Sequence, residues 1–148
     1  MAITYELVRD TAKECFLRAV TLVPDDIRRQ LRAAMERETN EQAREILQAM
    51  LRSEEAARRT GTVICQDTGV PVFYVRLAPG LDIRGDVSRA LAEAVAEVTR
   101  TRPLRSMMVH PITREGRGDN TGPGVPVIHF ELLSGADYLE LTCFPKGA

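Results

Sequence analysis

The sequence predicts an α+β protein in which helices come first and strands follow. Its 148 residues suit one domain, 1–148, with a single sizeable core. Apolar residues recur at helical spacing through a helical front, residues 1–61, and β-branched runs dominate a mixed region, residues 62–148. We therefore expect an N-terminal three-helix region packed on a small, largely antiparallel sheet, with a further helix that covers one face.

The helical front divides at turn and cap residues. Pro24 ends the first helix, and Asp25 with Asp26 caps the second and makes its first turn negative. Asn40 caps the third helix, which continues to Gly61. The predicted buried stripes are Val8, Ala12, Cys15, Phe16, Ala19 and Val23 in the first helix, Ile27, Leu31, Ala34 and Met35 in the second, and Ala43, Ile46, Leu47, Met50 and Leu51 in the third.

The mixed region contains four apolar runs and one helix. The runs, which we interpret as strands, are residues 62–64, 70–77, 127–132 and 138–144. A short Ser-Gly-Ala-Asp turn separates the last two runs and predicts a β-hairpin. Asp86 or Ser88 caps a fourth helix that ends before Pro103. Its predicted buried stripe is Val87, Leu91, Ala94, Val95 and Val98.

Charge and composition exclude several classes of partner. The 20 Lys plus Arg and 21 Asp plus Glu give a net charge of −1, without the basic excess that binding to a phosphate backbone requires. Trp is absent and aromatic residues are 5% of the chain, so stacking surfaces for single-stranded nucleic acid are scarce. No apolar stretch approaches the roughly 20 residues that span a bilayer, and the first residues do not resemble a leader. We expect a cytoplasmic protein with no nucleic-acid partner and no membrane partner.

A polar loop between two apolar runs presents the cysteine best placed for chemistry. Cys65 is followed there by an amide, a carboxylate and a hydroxyl. Its thiol could bind a metal, attack a substrate or pack as a small apolar residue. Cys15 and Cys143 are too distant along the chain for a local zinc motif, and three widely spaced cysteines suit reduced thiols.

Two further segments carry polar groups that could bind a ligand. Residues 102–105, with His110 and Arg114 shortly after, could hold an organic acid through arginine forks or could form a solvated helix end. The Asp-Asn-Thr run at residues 119–121 suits the backbone of a tight turn. His129 alternates with apolar residues, as expected of a histidine packed in a strand.

These motifs together resemble one known family. The motifs are similar, in residue identity and in order along the chain, to those of the iron–sulfur-dependent hydro-lyases. They are the Cys-Gln-Asp-Thr-Gly run at residues 65–69, Arg105, the run at 119–121 and Lys-Gly at 146–147. That family holds the class I fumarases and the alpha subunits of two-subunit fumarases and L-tartrate dehydratases. Its members reversibly hydrate a carbon–carbon double bond in a dicarboxylate, with a 4Fe-4S cluster that three cysteines hold.

The resemblance implies a role for each matching residue. Cys65 would be the first cluster ligand. Gln66 and Asp67 would contact the substrate, and Asp67 would be the catalytic residue that transfers a proton. Arg105 would bind a substrate carboxylate, and Gly147 would offer its backbone amide to the substrate.

The resemblance also implies that this chain is one portion of a larger enzyme. The two other cluster cysteines have no match here and are expected beyond Ala148. The partners would be the remainder of the alpha region, a C-terminal domain or beta subunit, and further copies in a homo-oligomer. The chain alone would be inactive, and the complete enzyme would act on fumarate and malate.

Two alternatives to that function remain open at the level of sequence. One is the corresponding portion of an L-tartrate dehydratase alpha subunit. The other is a non-catalytic domain of the same fold that serves in assembly or cluster delivery. The joint presence of Asp67 and Arg105 favours an enzyme, because a scaffold needs neither a carboxylate nor a guanidinium beside the cluster cysteine.

Overall fold

The computed structural model describes residues 2–67 and 69–147, so Thr68 of the predicted motif loop lies outside the described residues. The elements, in chain order, are β1 (Ile3–Thr4), α1 (Tyr5–Thr21), α2 (Asp25–Arg37), α3 (Glu41–Thr60), β2 (Val70–Leu77), β3 (Ile83–Arg84), α4 (Val87–Thr101), β4 (Val127–Leu132) and β5 (Leu139–Lys146). The predicted α+β class is confirmed.

β2 is the central strand of a three-stranded sheet, with β4 parallel to it on one side and β5 antiparallel on the other. The predicted hairpin is therefore wrong, because β4 and β5 each pair with β2 and not with each other. The sheet is also mixed rather than largely antiparallel. β2 takes the centre because its Pro71, Val72, Phe73 and Val75 are buried, whereas the last four residues of β4 are exposed, as suits an edge strand.

The short strands differ from the prediction. β1 and β3, of two residues each, pair in parallel as a small separate sheet that no sequence pattern indicated. The apolar run at residues 62–64 forms no strand, so that prediction is wrong. A strand needs a partner for its backbone hydrogen bonds, and residues 62–64 pair with none of the described strands.

α1 and α4 supply most of the buried apolar residues outside the sheet. The Phe16 ring on α1 lies 6.5 Å from the Phe73 ring on β2, measured between centroids, and an ion pair between Lys13 and Glu97 joins α1 to α4. Asp86 caps α4 by accepting a backbone hydrogen bond in the first turn. Most of the predicted stripes of these helices are confirmed as buried, namely Val8, Ala12 and Phe16 in α1 and Leu91, Ala94, Val95 and Val98 in α4.

α2 and α3 pack against each other and begin in different ways. The Asn40 side chain caps α3 by accepting a hydrogen bond from Ala43 N at 3.1 Å, and Gly61 ends it in the left-handed conformation, as predicted. The cap prediction for α2 is wrong, because Pro24 is its N-cap residue and makes no side-chain cap bond. Asp25 and Asp26 lie inside its first turn, where their negative charge interacts favourably with the helix dipole.

The predicted buried stripes of α2 and α3 are wrong. No residue of α2 is buried, and the buried residues of α3 are Glu54 and Ala57. Ile46 is 56% exposed and Met50 is 49% exposed. Helical spacing identifies the apolar side of a helix, but it does not establish that another part of the chain covers that side.

The described residues divide into two compact units. Residues 21–64 form one unit, and the described residues before and after them form the other. The sequence-based boundary after residue 61 places α1 with α2 and α3, whereas α1 lies almost entirely in the unit of the sheet. None of the helices in the described part of the chain combines the length and apolar character needed to cross a membrane.

Candidate active site

The loop that carries Cys65 leads directly into β2. Cys65, Gln66 and Asp67 are exposed, and Cys65 is a free thiol. Because Val70 begins the most buried strand of the sheet, the loop is anchored at one end by a rigid element. It therefore presents its polar side chains from a fixed base.

Arg105 is bound to this loop through both its backbone and its side chain. Its backbone N–H donates to Gln66 O at 3.0 Å. Its Nη1 donates to both carboxylate oxygens of Asp67, at 3.0 and 3.2 Å. The two side chains are 64% and 48% exposed, so their ion pair contributes at most about 1 kcal/mol to stability. The structure thus brings Cys65, Gln66, Asp67 and Arg105 together.

Gly147 also lies beside the loop, because Gly69 permits a close approach. Gly69 has a φ of +78°, and a Cβ at this position would lie 3.0 Å from Gly147 Cα and closer still to the Lys146 carbonyl. Lys146 is paired with Val70 in the register of β2 and β5. A residue with a side chain at position 69 would push the strand end away from the loop.

Asn120 is a residue of the site region whose importance the sequence did not reveal. Only 1% of it is exposed, and it is hydrogen-bonded to the segment that follows α4. Its place in the Asp-Asn-Thr run was the available signal, but that run also fits a simple turn. Part of the turn interpretation is confirmed, because Asp119 Oδ1 accepts from Thr121 N at 3.1 Å and from Thr121 Oγ1 at 2.7 Å.

The two histidines make local contacts of other kinds. His110 Nδ1 accepts from Ile112 N at 3.3 Å and from Thr113 N at 3.2 Å, which stabilises a turn. The exposed His129 ring stacks on Tyr74 in the neighbouring strand, with centroids 4.7 Å apart. His129 is therefore packed in a strand, as predicted.

A cavity of about 710 Å³ lies along the loop that follows Arg105. His110, Arg117, Thr121 and Val125 are among its lining residues, and Cys65 is not. This cavity is therefore separate from the exposed groups of the Cys65 loop.

Among the described residues, the thiols fit one ligand position of the iron–sulfur cluster that the family resemblance implies. Cys65 supplies an exposed thiol. Cys15 and Cys143 are hydrogen-bonded to each other, and this contact lowers the pKa of Cys15 to about 7 and, with burial, raises the pKa of Cys143. The described residues contain no group of three or more metal-binding side chains.

Comparison with known proteins points to a single family. The chain matches the family model described as fumarate hydratase (fumerase) over residues 9–148. It is 31% identical over 144 residues to the "Putative L(+)-tartrate dehydratase subunit alpha" of Methanocaldococcus jannaschii, covering 95% of this chain and 50% of the relative. It is also 31% identical over 144 residues to the "Putative fumarate hydratase class I" of Geobacillus stearothermophilus, covering 97% and 26% respectively. The L(+)-tartrate dehydratase subunit alpha of Escherichia coli K12 is 29% identical over 127 residues, covering 86% and 42%.

The ordered motifs, the family model and these relatives agree on one class of protein, whose members include proteins named as fumarate hydratases and as tartrate dehydratase alpha subunits. The chain belongs to the fumarate hydratase (fumerase) family and corresponds to the N-terminal region of its members. It spans half the length, or less, of the curated relatives named above.

Proposed function

We propose that this chain is the N-terminal part of a 4Fe-4S-dependent hydro-lyase that reversibly hydrates fumarate to malate. The observation that carries the proposal is the attachment of Arg105 to the Cys65 loop through Gln66 and Asp67. It collects a thiol, a carboxylate and a guanidinium at one exposed place. These groups can hold iron, accept a proton and bind a carboxylate, whereas an assembly domain would need the thiol alone.

Arg105 is suited to bind one carboxylate of the substrate. In the part of the chain that the structure describes, Asp67 engages only Nη1 of the three guanidinium nitrogens. Nε and Nη2 can then donate two parallel hydrogen bonds to an incoming carboxylate. The exposure of the side chain leaves this edge open to a ligand.

In this proposal, Asp67 moves a proton at a substrate carbon next to that carboxylate. Its Oδ1 and Oδ2 both lie within hydrogen-bond distance of Arg105 Nη1, so a carboxylate held by Arg105 would bring its adjacent carbon near them. An ionised carboxylate can accept a proton at either oxygen and return it in the reverse reaction. The Gln66 side-chain amide and the Gly147 backbone N–H would add hydrogen bonds that orient the substrate.

Cys65 would hold one corner of the cluster. Its exposed thiol fits a single ligand position, and the remaining two cysteines would come from the rest of the enzyme. When bound, the cluster would supply an open iron that acts as a Lewis acid on the substrate hydroxyl.

The test uses the complete enzyme, meaning this chain with the rest of the alpha region and the second domain or beta subunit, purified without oxygen. We expect it to interconvert fumarate and malate, followed by the ultraviolet absorbance of fumarate. Cys65→Ser should remove most of the iron and the activity, because a hydroxyl is a poorer iron ligand than a thiolate. Cys15→Ser, the matched substitution away from the loop, should keep the iron. Full iron content in Cys65→Ser would exclude Cys65 as a ligand.

L-tartrate is the second candidate substrate, because the relatives from M. jannaschii and E. coli are named as tartrate dehydratase alpha subunits. Both substrates are dicarboxylates, so Arg105 and Asp67 would serve either reaction in the same way. The two are distinguished by comparing kcat/KM for malate and L-tartrate on the same preparation. A higher kcat/KM for L-tartrate would assign tartrate dehydration, rather than fumarate hydration, as the activity of the enzyme.

A further inference from the structure

Asn120 has the features of a side chain that its surroundings hold in one position. It is 1% exposed and adopts a φ of +58°, in the left-handed region that few residues other than glycine occupy. Asparagine tolerates this conformation better than most residues, but the backbone stays there only where other contacts hold it.

Those contacts come from all four hydrogen-bonding positions of the amide. Asn120 Oδ1 accepts from Met107 N at 2.7 Å and from Met108 N at 3.3 Å. Nδ2 donates to Arg105 O at 2.9 Å and to Thr99 Oγ1 at 3.4 Å. The amide is thus fully satisfied. Among the other side chains only glutamine carries the same donors and acceptors, and it is one methylene longer.

These bonds link an irregular segment to a rigid helix. Thr99 is buried on α4, whereas residues 102–110 contain no helix or strand. Both backbone polar groups of Arg105 are bound, its N–H by Gln66 O and its carbonyl by Asn120 Nδ2. The position of the Arg105 Cα is therefore set between the Cys65 loop and the Asn120 amide.

We propose that Asn120 is a positioning residue for Arg105, and that it fixes the backbone from which the guanidinium reaches Asp67 and a substrate carboxylate. This inference rests on the proposed function, because it assigns a task to the arginine of that site. Asn120 itself is buried and acts through Arg105. Its loss would free the Arg105 carbonyl and the N–H groups of Met107 and Met108 from α4, and the guanidinium would then sample other positions.

The test is a double-mutant cycle in the complete, cluster-loaded enzyme. Asn120→Ala should lower kcat/KM for the dicarboxylate at least about tenfold, as expected when a group worth more than about 1.4 kcal/mol is lost. In an Arg105→Lys background the same substitution should change kcat/KM less than about threefold, because the bidentate grip is already gone. Iron content should be equal in all four proteins.

A merely structural role for Asn120 predicts a different result. Asn120→Ala would then lower kcat/KM by the same factor in both backgrounds, and this additivity would overturn the inference. Asn40→Ala, which removes the cap of α3, is the matched control: it should lower the unfolding temperature and leave kcat/KM unchanged.

Two measurements cover the case in which Asn120→Ala does not fold. Asn120→Asp keeps the acceptor for Met107 N and Met108 N but removes the donor to Arg105 O, so it should give the same non-additive loss. A crystal structure of the wild-type enzyme with a dicarboxylate bound should retain the bond between Asn120 Nδ2 and Arg105 O. Its absence from the liganded enzyme would overturn the inference without any variant.

The cycle also separates this inference from the proposed function. A wild-type enzyme that acts on no dicarboxylate would overturn the proposed function, and the task assigned to Asn120 would fall with it. An active wild-type enzyme with an additive cycle would overturn the inference alone.

Discussion

At the scale of single residues, Gly69 determines how closely the Lys146–Gly147 backbone approaches the Cys65 loop. Its φ is +78°, and a Cβ there would meet the carbonyl of Lys146 and lie 3.0 Å from Gly147 Cα. Both strain and contact therefore oppose any side chain at this position. The approach matters because it places the Gly147 backbone beside the residues that would contact substrate.

We expect Gly69→Ala to lower the free energy of unfolding by about 2–4 kcal/mol, the sum of left-handed strain and a backbone clash. Urea unfolding of the chain measures this change. Gly80→Ala is the matched control, because Gly80 has a φ of +82° but a Cβ there would meet no atom within 4 Å, so the variant carries the strain without the clash. Equal losses in the two variants would show that the approach of Lys146 is unimportant for stability.

The role proposed for Arg105 predicts a large effect of its substitution on catalysis and a small effect on stability, because its ion pair with Asp67 is exposed. In the complete enzyme, Arg105→Lys should keep the cluster and the fold but lower kcat/KM. The lost transition-state stabilisation should be roughly 1.5–3 kcal/mol, because a lysine cannot form two parallel hydrogen bonds with a carboxylate. Steady-state kinetics on enzyme of known iron content measure this loss. Arg76→Lys is the control, since Arg76 forms exposed ion pairs with Glu131 and Glu140 in the same sheet. A loss of transition-state stabilisation below about 1 kcal/mol would show that Arg105 behaves as an ordinary surface arginine.

Some of these residues could be identified from the sequence, and others could not for a physical reason. Cys65, Asp67 and Arg105 were identified by resemblance to a family, and the structure places them together. Gly69 and Asn120 were identified only as members of motifs, and the run that contains Asn120 also fitted a simple turn. Their contacts involve residues distant along the chain, and local spacing carries no information about such partners.

At the scale of elements, the sequence patterns and caps predicted where helices and strands lie along the chain better than they predicted which elements pair or pack with one another. The strands at Val70–Leu77 and Val127–Leu132 were predicted with the observed bounds, as were the caps at Asn40 and Gly61. The hairpin failed because alternation along a strand identifies its faces but not the strand beside it. The pairing partner was decided by burial, which favours β2 in the centre.

A thiol contact between α1 and β5 makes a prediction about pH. Folding lowers the pKa of Cys15 from 9.0 to about 7 through the hydrogen bond from Cys143, and it raises the pKa of Cys143. A lowered acid pKa gives stability that is present above the unfolded pKa and lost as pH falls through the folded pKa. Under reducing conditions, the free energy of unfolding should therefore increase as pH rises from about 7 to about 9. Above that window it should decrease, because the folded chain keeps the Cys143 proton that the unfolded chain releases.

Urea unfolding at a series of pH values measures this profile. Cys143→Ala should abolish the increase between neutral and mildly alkaline pH, because Cys15 then loses its hydrogen-bond partner. Cys65→Ala, which removes an exposed thiol, should leave the profile unchanged. An increase that persists in Cys143→Ala would assign it to other groups.

At the scale of the whole molecule, the α+β class followed from composition and pattern, but the grouping of helices did not. α1 belongs to the compact unit of the sheet because its stripe includes Ala12 and Phe16, which are completely buried. α2 also has an apolar stripe, although it is the more polar helix, and it buries no residue. An apolar stripe alone therefore does not establish burial, which also depends on the elements available to cover it.

The number of thiols at the candidate site leads to a prediction for the isolated chain. Of the three cysteines, Cys65 is exposed on the loop, whereas Cys15 and Cys143 are free thiols that are hydrogen-bonded to each other. Because one thiolate cannot anchor a cluster that needs three cysteine ligands, the chain alone should retain almost no iron after anaerobic reconstitution and desalting. It should also show no cluster absorbance and no hydration of fumarate. The complete enzyme, treated in parallel, should retain about four irons per site.

The control for this experiment is the folded state of the chain itself. Circular dichroism of the desalted sample should show the helix content of α1 to α4, so that loss of iron cannot be attributed to unfolding. If the folded chain alone kept a full cluster and Cys65→Ser removed it, the remaining ligands would have to lie within this chain or be shared between its copies. A cysteine of a second copy could then complete the site, and the iron content would depend on protein concentration.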